Sequence, residues 1–136
     1  MSTWFADASV LLARADSDDP EHEASIALLG GAAPVATLDL AYYEVANAAI
    51  RAWDDPAKAR RLRGLVTALA DDGGLVRVDE ALAAAAADLA SEHGLSAYDA
   101  AYVAGAAAAG ARLVSCDLRD LVRPGLAVTP SRALAL

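Results

Sequence analysis

Aromatic residues are scarce in this chain, with one Phe, two Trp and four Tyr among 136 residues. The single cysteine, Cys116, excludes a disulfide framework and any zinc site built on several thiolates. Glutamine is absent, Asn47 is the sole asparagine, and Lys58 is the sole lysine. Any chemistry that needs a lysine therefore falls to Lys58. No window offers the roughly 18 uncharged apolar residues of a membrane span. The best stretch, Ala100 to Ala111, is shorter and mostly alanine. The opening residues MSTWFADAS lack both the basic start and the apolar run of a signal peptide. Positive charge is in deficit: Lys and Arg total 11 against 19 Asp and Glu, for a net charge of −8. Taken alone, that balance weighs against nucleic-acid binding, because phosphate contacts need cations. It suits a cation-binding pocket or a basic partner. The expectation is one soluble, cytoplasmic domain over residues 1–136.

What is abundant is small and apolar. Alanine occurs 37 times and apolar residues make up 57% of the chain, enough for a core that favours helices. Thr3 to Ala6 reads as a short strand entering Asp7, followed by a helix from about Ala8 to Ala15. A polar loop, Asp16 to Glu21, leads to a helix over Glu23–Leu29 that Gly30-Gly31 stops. Pro34 to Thr37 reads as a strand, and Asp39 as the N-cap of a helix reaching Trp53. After Asp54-Asp55-Pro56, a helix covers Lys58–Leu69 and ends at Asp71-Asp72-Gly73-Gly74. Leu75–Val78 is a strand; Asp79 caps a helix through Glu92, and Ser96 caps another reaching Ala109. Arg112–Ser115 is a strand, a short turn or helix follows Asp117, and Leu126–Thr129 is the last strand. Short strands alternating with longer helices, without hairpin signals, predict a three-layer α/β sandwich with a mainly parallel sheet.

In such sheets, ligands sit beyond the carboxyl ends of the strands. Two expected strands run into acids there, at Asp7 and Asp117. Each also has a plain structural reading as the cap of the following turn. Glu44 lies too far inside its helix to cap it. On a helical wheel it shares a strip with Asn47 and Arg51, opposite Val45, Ala49 and Trp53. A solvated Glu–Arg face is the competing account, with Asn47 one turn from the acid weighing against it. Asp99 is the only charged residue of an otherwise apolar helix. Ser96 and Asp99 fit a capping box, yet a carboxylate carried inward by so apolar a helix needs a cation or several donors. Four acids on four separate elements repel one another if they converge. A hard divalent ion offsets that repulsion, and Mg²⁺ favours such oxygen ligands. Ions held this way activate water and stabilise in-line phosphoryl displacement, which lets an acidic protein hold an anionic substrate.

The chain resembles the PIN-domain ribonucleases, specifically toxins of the VapC type. The likeness rests on four motifs in order: Phe5-Ala6-Asp7-Ala8-Ser9, Leu40 to Arg51 around Glu44 and Asn47, Leu95 to Ala104 around Asp99, and Leu113 to Leu121 around Asp117 and Asp120. They span residues 3 to about 130. The resemblance implies an endoribonuclease dependent on Mg²⁺ or Mn²⁺. It implies Asp7 and Asp99 as central catalytic metal ligands, with Glu44 and Asp117 completing the pocket directly or through water. Ser9 and Ser115 would orient carboxylates or waters from the second layer, where Asn47 and Asp120 are also placed, Asp120 reading equally as a surface residue. It further implies a cognate antitoxin protein that covers the site, an RNA substrate, and a homodimer. Ser115 stands where the family more often has threonine, and the acidity of the whole chain is unusual for it.

Lys58, Arg60, Arg61 and Arg63 form the one basic cluster, readable either as phosphate contacts or as a solvated helix face. His22 and His93 lack ligand-like spacing, and Cys116 has no neighbouring histidine to activate it. The rival readings are a receiver-like signalling domain that binds a divalent cation and accepts phosphate, a dehalogenase-like phosphatase, and a PIN domain that only binds a partner. The first two need a lysine late in the chain, and none follows Lys58. Retention of all four acids opposes the third.

Overall fold

In the computed structural model, residues 4–72 and 74–136 are described. The expected strand start at Thr3 and the Gly73 part of the expected helix stop lie outside them. Four strands, β1 (Trp4–Ala6), β2 (Val35–Leu38), β3 (Leu75–Val76) and β4 (Arg112–Val114), pair only in parallel, in the order β3-β2-β1-β4. Parallel strands need long crossovers, and helices fill them. They are α1 (Ala8–Arg14) and α2 (His22–Leu29) after β1, α3 (Ala41–Trp53) and α4 (Pro56–Asp72) after β2, and α5 (Glu80–His93) and α6 (Ala97–Ala108) after β3. A π-helical turn (Leu118–Val122) and α7 (Pro130–Ala135) follow β4. The expected α/β architecture, a mainly parallel sheet flanked by helices, is what forms.

Local sequence accounts for most boundaries. Asp79 accepts the Leu82 N–H at 2.8 Å to start α5, and Gly94 ends it in the left-handed region at φ 67°. Pro56 begins α4, which is longer than the expected Lys58–Leu69, because proline suits a first helical turn. Asp39 corrects the expectation of an N-cap. Leu40 occupies that position, and the Asp39 carboxylate instead accepts the Val78 N–H at 3.2 Å, tying the end of β2 to the chain after β3. The final expected strand is also corrected. Residues 126–129 contribute a single bridge, Val114 to Val128, before Thr129 caps α7, a helix the sequence reading lacked. Glu21 holds α7 by accepting the Ser131 N–H at 2.9 Å and its hydroxyl at 3.0 Å.

Strand register places Phe5, Ala36 and Leu113 on one face and Ala6, Thr37 and Val114 on the other. All six are buried, as a sheet covered on both sides requires. On the Phe5 face α6 approaches so closely that a Cβ at Gly105 would lie 2.8 Å from the Phe5 ring. That contact sets the depth of the helix carrying Asp99 and Tyr102. No helix among the described residues is long and apolar enough to cross a membrane.

Candidate active site

The chain leaves β1 toward β2 on one side and returns to β4 on the other. The crevice at the carboxyl ends of β1 and β4 is therefore the topological switch point, where open parallel sheets bind ligands. Asp7 stands immediately after β1, and its N–H reaches the Val114 carbonyl at 3.2 Å. Ser115, Cys116 and Asp117 follow β4. Glu44 comes from the first turn of α3, and Asp99 from the first turn of α6. A cavity of about 220 Å³ is lined by Asp7, Ser9, Glu44, Asp99, Tyr102 and Asp117, together with Ala8 and Leu12. All four acids singled out in the sequence thus meet at one site.

Capping and convergence coexist there. Asp7 caps α1 by accepting the Ser9 N–H at 3.0 Å and also accepts the Ser9 hydroxyl. The Ser9 oxygen in turn accepts the Cys116 N–H at 2.8 Å and lies 3.4 Å from the Ser115 hydroxyl. Ser115, fully buried, accepts the Asp117 N–H at 3.0 Å. Asp117 accepts the Asp120 N–H at 3.0 Å as the cap of the π-helical turn. At α6 only half of the expected capping box forms. Ser96 accepts the Asp99 N–H at 3.1 Å, and no return bond to the Asp99 carboxylate exists among the described residues. That carboxylate is left for the cavity.

The electrostatics are those of anions pressed together, with one ion pair among the described residues, Arg119 Nε donating to Asp120 at 3.1 Å at the outer edge. Asp7 is 5% exposed, and burial lifts its pKa to about 6, against the opposing pull of the Ser115 and Ser9 hydroxyls and the Val10 backbone. Burial, and then the Asp99 charge, also raise Glu44, while the Tyr102 hydroxyl draws it down. Asp99 is raised by burial and then by Asp117 and Asp120. One carboxylate oxygen from each of Asp99, Asp117 and Asp120 lies within 4.8 Å of the others. Asp120, which the sequence left as an outer residue, thus belongs to the acidic group. Tyr102 stands in the third motif, where the sequence assigns it no role. It is 2% exposed and lines the cavity, and its hydroxyl stands close enough to Glu44 to lower that carboxyl's pKa without closing a hydrogen bond among the described residues. Its position one helical turn after Asp99 was the available signal. Hard carboxylate oxygens with raised pKa values fit a divalent cation with water in its shell.

The other expectations are placed elsewhere. Asn47 is exposed and lines a neighbouring recess with Glu44. Lys58, Arg60, Arg61 and Arg63 stand on α4, and none lines the acidic cavity. Lys58 is already engaged: its Nζ donates to the Ala15 carbonyl at 3.1 Å and sits 4.3 Å from the centre of the Trp53 ring. Cys116 is half-buried, and burial pushes its thiol up to about 12, which leaves it unreactive. The His22 Nδ1 lies 2.9 Å from the Ala13 carbonyl and joins α2 to α1.

Fold and site together define an α/β domain with an acidic pocket at the switch point of a parallel sheet. The family model described as PIN domain matches residues 5–124. The chain belongs to that family. No curated protein matches by sequence. Among solved structures, PAE2754 from Pyrobaculum aerophilum is 25% identical with a TM-score of 0.71, covering 98% of this chain and 88% of its own. A toxin–antitoxin complex from Klebsiella pneumoniae gives 19% identity and a TM-score of 0.67, over 95% of this chain and 98% of that one. VapC20 from Mycobacterium tuberculosis, described as a sarcin-ricin loop cleaving toxin, gives 18% identity and a TM-score of 0.69, over 90% of this chain and 95% of its own.

Proposed function

We propose that this protein is a divalent-metal-dependent endoribonuclease, the toxin of a VapC-type toxin–antitoxin pair. The observation that carries the reading is the meeting of Asp7, Glu44, Asp99 and Asp117, from four separate elements, in one cavity at the sheet's switch point. Family membership and the descriptions of two similar structures, a toxin–antitoxin complex and an RNA-loop-cleaving toxin, support the same class. A bound Mg²⁺ or Mn²⁺ supplies positive charge for water activation and for stabilising an in-line displacement at phosphorus.

In this reading Asp7 and Asp99 would be the central ligands of the ion, and Glu44, Asp117 and Asp120 would complete the oxygen set. Ser9 and Ser115 fix the carboxylates, so that little reorganisation accompanies reaction. Water adds to the phosphodiester phosphorus and the bond to the 3′ oxygen breaks. A pocket carboxylate takes the water proton and the departing 3′ oxygen takes one from solvent, leaving a 5′-phosphate and a 3′-hydroxyl. A cognate antitoxin, a homodimeric state and a cytoplasmic setting belong to the same proposal.

The test is cleavage of total cellular RNA by the purified, partner-free chain with Mn²⁺, with Mg²⁺ and with EDTA, beside Asp99→Asn. Discrete metal-dependent fragments that the variant does not produce are expected. Folded protein that cuts nothing in any lane, and whose stability no divalent ion changes, overturns the proposal.

A further inference from the structure

Aromatic side chains are few, so where they are left in solvent is informative. Of the seven, Trp4, Phe5 and Tyr102 are buried, while Tyr42 and Trp53 are half-buried. Tyr42 is also bonded through its hydroxyl to Thr67 at 2.9 Å. Tyr43 and Tyr98 differ: they are 79% and 63% exposed, and neither hydroxyl has a partner among the described residues. They are far apart in the chain, on α3 and α6, yet they line one recess of about 440 Å³ with Leu40, Glu44 and Asn47. Leu40, Tyr43, Glu44 and Asn47 follow the spacing i, i+3, i+4, i+7, one stripe of the helix, and Tyr98 meets that stripe from the neighbouring element.

Glu44 lines both this recess and the acidic cavity, so the two share a wall. From this geometry we infer that the recess is a nucleobase subsite, in which an unpaired base adjoining the cleaved phosphate stacks on Tyr43 and Tyr98 while Asn47 bonds its edge. This rests on the ribonuclease reading and adds to it how the strand is held. Base stacking needs no charge, whereas a protein of net charge −8 gains little from phosphate contacts. The Asn47 amide carries donors and an acceptor, has no partner among the described residues, and is the only carboxamide side chain in the chain.

The experiment measures binding of a fluorescently labelled, mixed-sequence single-stranded oligoribonucleotide by anisotropy. It uses the full chain with Asp99→Asn in Mn²⁺, so that nothing is cut. Tyr43→Ala and Tyr98→Ala are each expected to weaken binding on the order of tenfold. Tyr43→Phe and Tyr98→Phe should stay within about twofold of the parent, because the stacking ring is kept. An abasic oligonucleotide should not distinguish any of these variants. Parent binding that neither alanine variant changes overturns the subsite and leaves the nuclease reading standing. Phenylalanine variants as weak as the alanine ones would replace stacking by a hydroxyl contact and overturn it as well. Alanine variants that bind RNA normally but lose the antitoxin's inhibition assign the two tyrosines to a protein interface instead, against the inference. A parent that binds no RNA, with a wild-type chain that cuts none, removes the ribonuclease reading and the subsite with it.

Discussion

The Ser9 hydroxyl accepts the backbone N–H of Cys116 at 2.8 Å, joining the start of α1 to the end of β4 across 107 residues of sequence. The same oxygen donates to Asp7, so one side chain fixes two walls of the acidic cavity. Ser9→Ala leaves a partly buried N–H without its partner and should cost ~1–2 kcal/mol in urea unfolding. It should also weaken Mn²⁺ binding ~10-fold by calorimetry, since it frees Asp7 to reorient. Unchanged metal affinity would show that Asp7 is oriented by other contacts.

Asp7 makes the metal-free protein sensitive to pH. Its carboxyl titrates near 3.8 in the unfolded chain and about 6 in the folded one, so folding takes up a proton between these values. Its contribution is fully present below about 4 and is lost as pH rises through about 6. The loss is on the order of 3 kcal/mol. Glu44 and Asp99, also raised, act in the same direction. Asp7→Asn should flatten much of this slope, melt higher than wild type at pH 8 in EDTA, and cleave no RNA. Thermal melts from pH 4 to 8 measure it, and equal slopes for the two proteins would contradict it.

One carboxylate oxygen from each of Asp99, Asp117 and Asp120 lies within 4.8 Å of the others, which puts Asp120 in the group that would surround a bound ion. Saturating Mn²⁺ should stabilise the wild type by ~3 kcal/mol at a hundred times its dissociation constant. Asp120→Asn should lower Mn²⁺ affinity ~10-fold, whereas Asp88→Asn, on the exposed side of α5, should leave it alone. If the two variants titrate identically, Asp120 has no part in metal binding.

Gly105 and Gly64 separate packing from helix propensity. A Cβ at Gly105 meets the Phe5 ring at 2.8 Å, whereas at Gly64, inside α4, it meets nothing within 4 Å. Gly105→Val should therefore cost ~2–3 kcal/mol through overpacking between α6 and the sheet. Gly64→Ala should gain ~1 kcal/mol from helix propensity alone. Urea midpoints of both variants provide the comparison, and a neutral Gly105→Val would mean that α6 can move away from β1.

The elements were legible where a local rule governs them. Asp7, Asp79 and Ser96 cap the helices they precede, and Gly94 ends α5, because capping depends on the next few residues alone. Asp39 was misread because its partner, Val78, lies 39 residues away across β2 and β3. The bridge at Val128 and the docking of α7 on Glu21 depend likewise on distant surfaces. The four acids could be picked out by where they stand relative to strands and helix faces. Asp120 is legible only as an outer residue and Tyr102 only as part of a motif, since an acid in a polar turn and a tyrosine in an alanine-rich helix also have ordinary roles.

The amino-acid sequence by itself determined the alternation of short strands and helices, the caps, and an excess of acids that includes one after each of β1 and β4. Those features follow from near neighbours and from the period of each element. Only the tertiary structure decided that Asp7, Glu44, Asp99 and Asp117 face one cavity, and that Asp120 joins them. It also turned Tyr43 and Tyr98 toward the same recess and drew Lys58 onto Trp53. The physical reason is that convergence depends on strand order and on the depth at which α6 packs. Both are set by contacts such as Gly105 against Phe5, whose members lie about a hundred residues apart.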